Sequence, residues 1–415
     1  MIPRYEIDDI SYVWSEKHQY QVWLNIERSY FSFLGQTQSD SKGMKKVYDK
    51  LVQLSLNPKK LDKFVELCHK KEKVTKHDIG AFILALEDEI SIKKYPLARF
   101  IHHGLTSSDI KDTAFVVANK ESLTFTIDNL QELLETITII IQKYKNTLIL
   151  GRTHGVIAEP TTVGLKFSNY YTELQHIFLQ FNNLLNFTSV GKLSGAVGNY
   201  IHVHPVVEKK ALLNIGIWPS YSTSQIIPRE RFAEIIFYLS LLGSSLEKIA
   251  TDIRLLHSTG EIMEGFKEGQ IGSSTMPHKE NPIVCENICG LARILRGHVQ
   301  GALENVVLWN ERDMTHSSVE RIIFPDSYHI INFILLRMKD VIESLRFDEL
   351  GMKEKIENRK TQWLQQEIML IGIENGKSRS QAKTPAWEAY KRGHAFDYNR
   401  ITKYVDFILD KKGIK

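Results

Sequence analysis

The sequence predicts an all-α fold built around long packed helices, on two observations. Turn-forming residues are scarce: 24 Gly and 11 Pro in 415 residues fall below the roughly 7% and 5% of average usage, which argues against a β-sandwich or propeller. Three stretches also carry apolar side chains at alternating steps of three and four. They are Val116, Leu123, Ile127, Leu130, Leu134, Ile137, Ile141 and Tyr144; then Val163, Phe167, Tyr170, Leu174, Ile177, Phe181 and Leu184; then Ile235, Leu239, Leu242, Leu246, Ile249, Ile253 and Leu256. That spacing puts each set on one helix stripe. Helices of about 25–40 residues, ~40–60 Å long at 1.5 Å per residue, can bury such stripes only against one another, as an extended bundle. Apolar residues off the stripes (Phe125, Ile139, Ile140, Phe178, Leu185, Ile236, Phe237) predict a second buried face and hence an oligomer.

The elements follow in order. Amphipathic runs lie near 17–35 and 46–70, and Lys94-Tyr-Pro marks a loop-like end to the first segment. Thr106-Ser-Ser-Asp109 supplies N-cap residues for the first long helix, and Pro160 suits the first turn of the second. Beyond about residue 348 the period shortens and charge rises, predicting a small C-terminal helical domain. Hydrophobic residues at 43% and charged residues at 25% exclude disorder, and the length suits two or three domains. The net charge of +4 is dispersed, with only short clusters such as Lys70–Lys73, so no nucleic-acid footprint is expected. Three cysteines cannot build a disulfide framework and suit a reducing compartment. Cys285 and Cys289 read as buried small hydrophobes rather than metal ligands. The opening residues contain no apolar leader, and no apolar run approaches the ~20 residues of a membrane span. A cytoplasmic protein with no membrane partner is expected.

Four polar, mostly glycine-bearing segments interrupt this helical background: Gly151-Arg-Thr-His-Gly155, Gly191-Lys-Leu-Ser-Gly-Ala-Val-Gly198, Gly272-Ser-Ser-Thr-Met-Pro-His-Lys-Glu-Asn-Pro282, and Trp309-Asn-Glu-Arg-Asp-Met-Thr-His-Ser-Ser318. In the third, Pro277 and Pro282 oppose helix and predict a loop. Its Ser273 and Ser274 hydroxyls, Lys279 cation and Asn281 amide suit a carboxylate or enolate-like dianion, which needs positive charge and convergent donors. Further on, Arg312, Ser317 and Arg321 offer two guanidinium forks and a hydroxyl over ten residues, a set suited to a phosphate dianion.

The ordered set Gly272–Pro282 resembles the signature loop of the fumarase/aspartase superfamily. The remaining motifs resemble the adenylosuccinate lyase family within it: Ile2-Pro-Arg-Tyr5 with Trp14, Thr75-Lys-His-Asp78, His102-His-Gly-Leu-Thr-Ser-Ser-Asp109, Gly151–Thr162, Lys192–Gly198 and Glu304–Asp313. The resemblance runs from residue 1 to about 345. It implies a fumarase/aspartase-like subunit of three domains: an N-terminal helical domain over 1–107, a central bundle over 108–347 with the signature loop at 269–283, and a small C-terminal domain over 348–415. Four such bundles would form a homotetramer core, with each active site drawn from three subunits.

The implied reaction is β-elimination of fumarate from adenylosuccinate, giving AMP, and from the succinylated aminoimidazole carboxamide ribotide, with no metal or other cofactor. The resemblance makes Ser273 the base and His154 the acid, with Glu286 orienting or charging His154. Lys279 and Asn281 would bind carboxylates and stabilise the intermediate, and His102 and His77 would be further site histidines. Arg4, Tyr5, Arg312, Ser317 and Arg321 match phosphate contacts. Thr106, Ser107 and Thr153 match succinyl contacts, and Gln225, Ser274, Lys76 and Asp78 complete the substrate-binding set. Three departures stand out: Lys76 where the family commonly has Arg, Glu280 where Arg or Val is usual, and a shortened 362–395 region. The alternatives are fumarate release from another phosphorylated N-succinyl compound, or a catalytically silent helical scaffold.

Overall fold

The computed structural model describes residues 1–35, 40–266, 269, 275–276, 278–383 and 396–414. The first segment forms α1 (Asp8–Val13), α2 (Glu16–Leu34), α3 (Ser41–Leu56), α4 (Pro58–Thr75) and α5 (Asp78–Ile90). The amphipathic run at 46–70 is thus two helices. Pro58 cannot donate to a preceding turn and instead opens α4, while the Asn57 side chain accepts from Lys60 N at 3.2 Å as its cap. Trp23 of α2 packs edge-on to Phe82 of α5 at 5.5 Å, and Phe64 of α4 meets the same ring at 5.7 Å. All three are buried, each burial stabilising by roughly 1.5–3 kcal/mol.

The predicted long helices are α6 (Ser107–Lys143), α7 (Val163–Thr188), and, after the short α8 (Pro205–Asn214), α9 (Glu230–Thr259). Every stripe residue is buried except Tyr144, which is half-buried and stacks on Phe347 with ring centres 4.0 Å apart. The off-stripe residues divide. Ile140 and Ile236 are buried, whereas Ile139 and Phe237 are 66% and 50% exposed. Then come α10 (Ile283–Glu304), α11 (Thr315–Ser344) and the short helices α12 (Glu349–Asn358), α13 (Lys360–Trp363), α14 (Gln365–Glu374) and α15 (Arg379–Ala382).

The expected first-turn role of Pro160 is corrected. Residues 148–162 form an antiparallel hairpin of β1 (Leu148–Thr153) and β2 (Val156–Thr162), with Pro160 opposite Leu150. A two-stranded ribbon has only edges, so a residue without an N–H is tolerated there. The cap of α7 is Thr162, whose hydroxyl accepts from Leu165 N at 3.1 Å.

The chain forms two compact units, each drawn from three separate segments. Unit one holds Met1–Asp128, Leu179–Ser240 and Ile294–Phe333; unit two holds Asn129–Phe178, Leu241–Arg293 and Ile334–Lys415. Within unit two, Ile356, Trp363, Leu364 and Ile368 of the C-terminal helices cluster with Leu150 of β1. Two further strands, β5 (Ile262–Met263) and β6 (Arg346–Phe347), pair antiparallel there after a first short pair, β3 (Val190–Gly191) with β4 (Trp218–Pro219), in unit one. No helix among the described residues is long and apolar enough to cross a membrane.

Candidate active site

In unit one, the start of α6 is an assembly point. Asp109, fully buried, accepts from Thr106 N at 2.8 Å, Ser194 N at 3.1 Å and Gly195 N at 3.2 Å, and pairs with the equally buried Lys192. One carboxylate thereby joins Thr106 and Ser107 to the glycine-rich 191–198 loop. That loop needs its glycines: Gly195 and Gly198 have φ of +84° and +76°, and a Cβ at Gly198 would lie 2.1 Å from the Thr223 carbonyl oxygen.

His102, in the left-handed region at φ +59°, is gripped by Glu27 of α2. One carboxylate oxygen meets His102 Nδ1 at 2.5 Å and the other accepts from its backbone N at 3.1 Å. Burial opposes charge on the ring, but the Glu27 carboxylate, its hydrogen bond and Asp109 outweigh it and raise the pKa. His77 caps α5, its Nδ1 accepting from Gly80 N at 2.9 Å. A backbone N–H can only donate, so the neutral ring carries its proton on Nε2. Asp78 bonds Lys111 of α6 at 2.5 Å. Burial pushes its carboxyl up, and the Lys111 ammonium more than reverses that. Lys76 is the exposed, left-handed C-cap of α4.

Arg312 donates to Ser108 Oγ at 2.9 Å and Gln225 Oε1 at 3.0 Å. Together with Ser317 and Arg321, which lie one turn apart at the start of α11, it lines a cavity of about 220 Å³. Two guanidinium groups beside the positive end of a helix dipole favour an anion. Arg4 and Tyr5 do not line that cavity; Arg4 is exposed and Tyr5 packs edge-on to Phe333 with ring centres 5.1 Å apart.

Behind Arg312 lies a buried charge cluster that sequence reasoning missed. Arg229 grips Asp112 with two nitrogens, at 3.1 and 2.5 Å, and lies 3.1 Å from Glu320. Asp112 also accepts from Ile227 N at 2.6 Å, which fixes the chain two residues after Gln225. Burial raises Glu320 to about 7 against the pull of Arg229, while burial and then Arg229 push His316 down to about 4. The native state therefore resists protonating His316. Between the ordinary value of 6.5 and about 4 the unfolded chain binds more protons at this position, so stability is lost on acidification. A His316→Gln variant removes that term. Its unfolding free energy relative to the parent should improve as pH falls from 6.5 towards 4, by up to the order of 3 kcal/mol, measured by urea denaturation at both ends.

In unit two, β1 and β2 meet at His154 and Gly155, with φ of +55° and +76°. Two consecutive left-handed residues make the mirror-image turn that suits hairpin twist, and His154 stands exposed at its tip beside Thr153. Arg152 anchors the hairpin to buried Glu261 at 2.7 Å. Ser273 and Ser274, with Gly272 and Pro277, lie outside the described residues. Lys279 is exposed, and Asn281 precedes α10. The N-terminus of α10 is capped by the buried Glu264, accepting from Val284 N at 3.1 Å and Cys285 N at 2.9 Å. Glu286 is exposed in its first turn, and no hydrogen bond joins it to His154 among the described residues of one chain. Glu280, one of the departures from the family pattern, is paired with Arg346.

Glu27 and Glu264 were also missed. Glu27 had a signal: it lies three residues after Leu24 and three before Tyr30, an acid inside an apolar helical stripe.

A family described as Lyase matches residues 13–297. The fold resembles the crystal structure of a fumarate lyase from Mesorhizobium sp. BNC1, with a TM-score of 0.79 at 18% identity, covering 99% of this chain and 93% of that one. At that identity the likeness defines the fold alone; the family match defines the class, a lyase. In sequence, the chain is 35% identical to the adenylosuccinate lyase of Thermotoga maritima, covering 100% of this chain and 93% of the relative. It is 37% identical to that of Aquifex aeolicus, covering 98% and 93%. The chain belongs to the adenylosuccinate lyase family.

Proposed function

We propose that this protein eliminates fumarate from adenylosuccinate, giving AMP, and from the succinylated aminoimidazole carboxamide ribotide. The observation that carries the reading is the nearly full-length match to curated adenylosuccinate lyases. The cavity lined by Arg312, Ser317 and Arg321 supports a phosphorylated substrate. The difficult step removes a weakly acidic proton from carbon, and the negative charge that builds on the neighbouring carboxylate requires electrostatic stabilisation. Ser273 takes that proton, and Lys279 and Asn281 hold the carboxylates. His154 donates a proton to the leaving nitrogen, with Glu286 orienting it. His102 and His77 complete the histidine set, with Thr106, Ser107, Thr153, Ser274, Gln225, Lys76 and Asp78 around the substrate.

The subunit works as a cytoplasmic homotetramer with sites shared between subunits, and divides at about 107 and 347. The exposed Ile139 and Phe237 on long helices support an oligomer, as does the lack of a His154–Glu286 bond within the described residues of one chain. Purified protein should convert adenylosuccinate to AMP and fumarate, followed by absorbance; no turnover of adenylosuccinate overturns the reading. Ser273→Ala should lower turnover by about 10²–10⁴-fold with the assembly mass by light scattering unchanged.

A further inference from the structure

One imidazole ties the chain just before the signature loop to the loop's own C-terminal end. His257, in the last turn of α9, accepts from Glu264 N at Nδ1, 3.1 Å away, and its Nε2 lies 2.8 Å from the Glu280 carbonyl oxygen. Neither partner has a choice of role, since a backbone N–H only donates and a carbonyl only accepts. The ring must therefore be the neutral tautomer with its proton on Nε2. A protonated Nδ1 would face the Glu264 N–H donor to donor and break one of the two bonds.

The neighbouring geometry makes this ring part of a base. Glu264 caps α10 with its carboxylate, so the amide that His257 receives belongs to the residue that caps the helix bearing Glu286. Arg346, opposite Met263 in the β5–β6 pair, holds the Glu280 side chain. Glu280 is thus held at both ends, its carboxylate by Arg346 and its carbonyl by His257. That carbonyl belongs to the peptide plane joining Glu280 to Asn281, and Lys279 is the residue on the other side. Fixing Glu280 fixes the backbone from which both Lys279 and Asn281 project.

We propose that His257 is a positioning residue for the elimination, a neutral imidazole clasp that sets the backbone of Lys279–Asn281 relative to the N-terminus of α10. The proposal rests on the lyase reading for the roles of Lys279 and Asn281. It also gives the unusual Glu280 a use, as the point the clasp and Arg346 hold.

Three variants test it by steady-state kinetics alongside hydrogen–deuterium exchange at the Glu264 amide. His257→Phe keeps a ring and loses both bonds. Misplacement of a catalytic group by about 1 Å can lower rate by 10²-fold, so kcat should fall about 10- to 100-fold with KM moving less than about threefold, and the Glu264 amide should exchange faster. His257→Gln places an amide N–H near the Nε2 position and should restore kcat to within about threefold. His257→Asn offers an acceptor near Nδ1 but is too short to reach Glu280, and should protect the amide while leaving kcat low. Unchanged kcat and exchange in the Phe variant overturn the proposal, as does a Gln variant no better than Asn. The Gln and Asn pair decides the matter even if the Phe variant fails to fold. If the unmodified protein does not turn over adenylosuccinate, the lyase reading fails, and exchange at Glu264 still decides the clasp.

Discussion

Replacing Lys192 with methionine will destabilise the fold by roughly 3–5 kcal/mol, the range for breaking a buried ion pair from one side. Methionine fills the space but leaves the Asp109 carboxylate buried with no cation. The three backbone amides that remain on Asp109, from Thr106, Ser194 and Gly195, keep the loss from growing larger. Those same amides make this pair unlike an ordinary one. Buried ion pairs can often be exchanged for two apolar residues with little loss, but Asp109→Leu combined with Lys192→Met would strip three N–H groups of their acceptor. Each unmet group costs about 1–3 kcal/mol, so the double variant should stay destabilised. Equilibrium denaturation of both variants checks this, and a double variant as stable as the parent would sink it.

The second large effect concerns His154. His154→Asn should lower kcat by about 10²–10⁴-fold, the usual contribution of a positioned acid or base, with little change in melting temperature. Asparagine is chosen because it tolerates the left-handed conformation at φ +55° and because Asn-Gly is the favoured pair for this turn. The hairpin therefore survives while the titrating group goes. Initial rates of fumarate release, with thermal melts as the control, read both halves. Retained turnover would remove His154 from the acid role.

The bundle was legible because its cause is local. Alternating steps of three and four place side chains on one stripe, and the stripe residues are the ones that the structure buries. The hairpin was not, because Pro160 fits the first turn of a helix as well as an edge strand, and only pairing with Leu150 separates the two. Likewise a single Asn57-Pro58 step, inside a run that keeps helical period on both sides, ends one helix and starts another. The site divides in the same way. Arg312, Ser317 and Arg321 could be grouped from spacing, since Arg312 lies just before α11 and the other two in its first turns. The partners that set their surroundings come from far along the chain: Ser108 is 204 residues from Arg312, and Glu27 is 75 from His102. No local pattern encodes such pairs; the fold brings them together.

The interleaving of the two units has a consequence for the order in which the protein can be made. Unit one needs Ile294–Phe333 to complete it and unit two needs Ile334–Lys415. Neither can finish while the first two-thirds of the chain is emerging from the ribosome. Part of the packing of α6 waits for α11, which brings Phe324 against Phe115 and Asn332 to the Thr126 hydroxyl, a topology in which distant contacts slow folding and leave intermediates prone to aggregate. A fragment ending before residue 294 contains neither unit whole and should be held by chaperones rather than accumulate as a folded species.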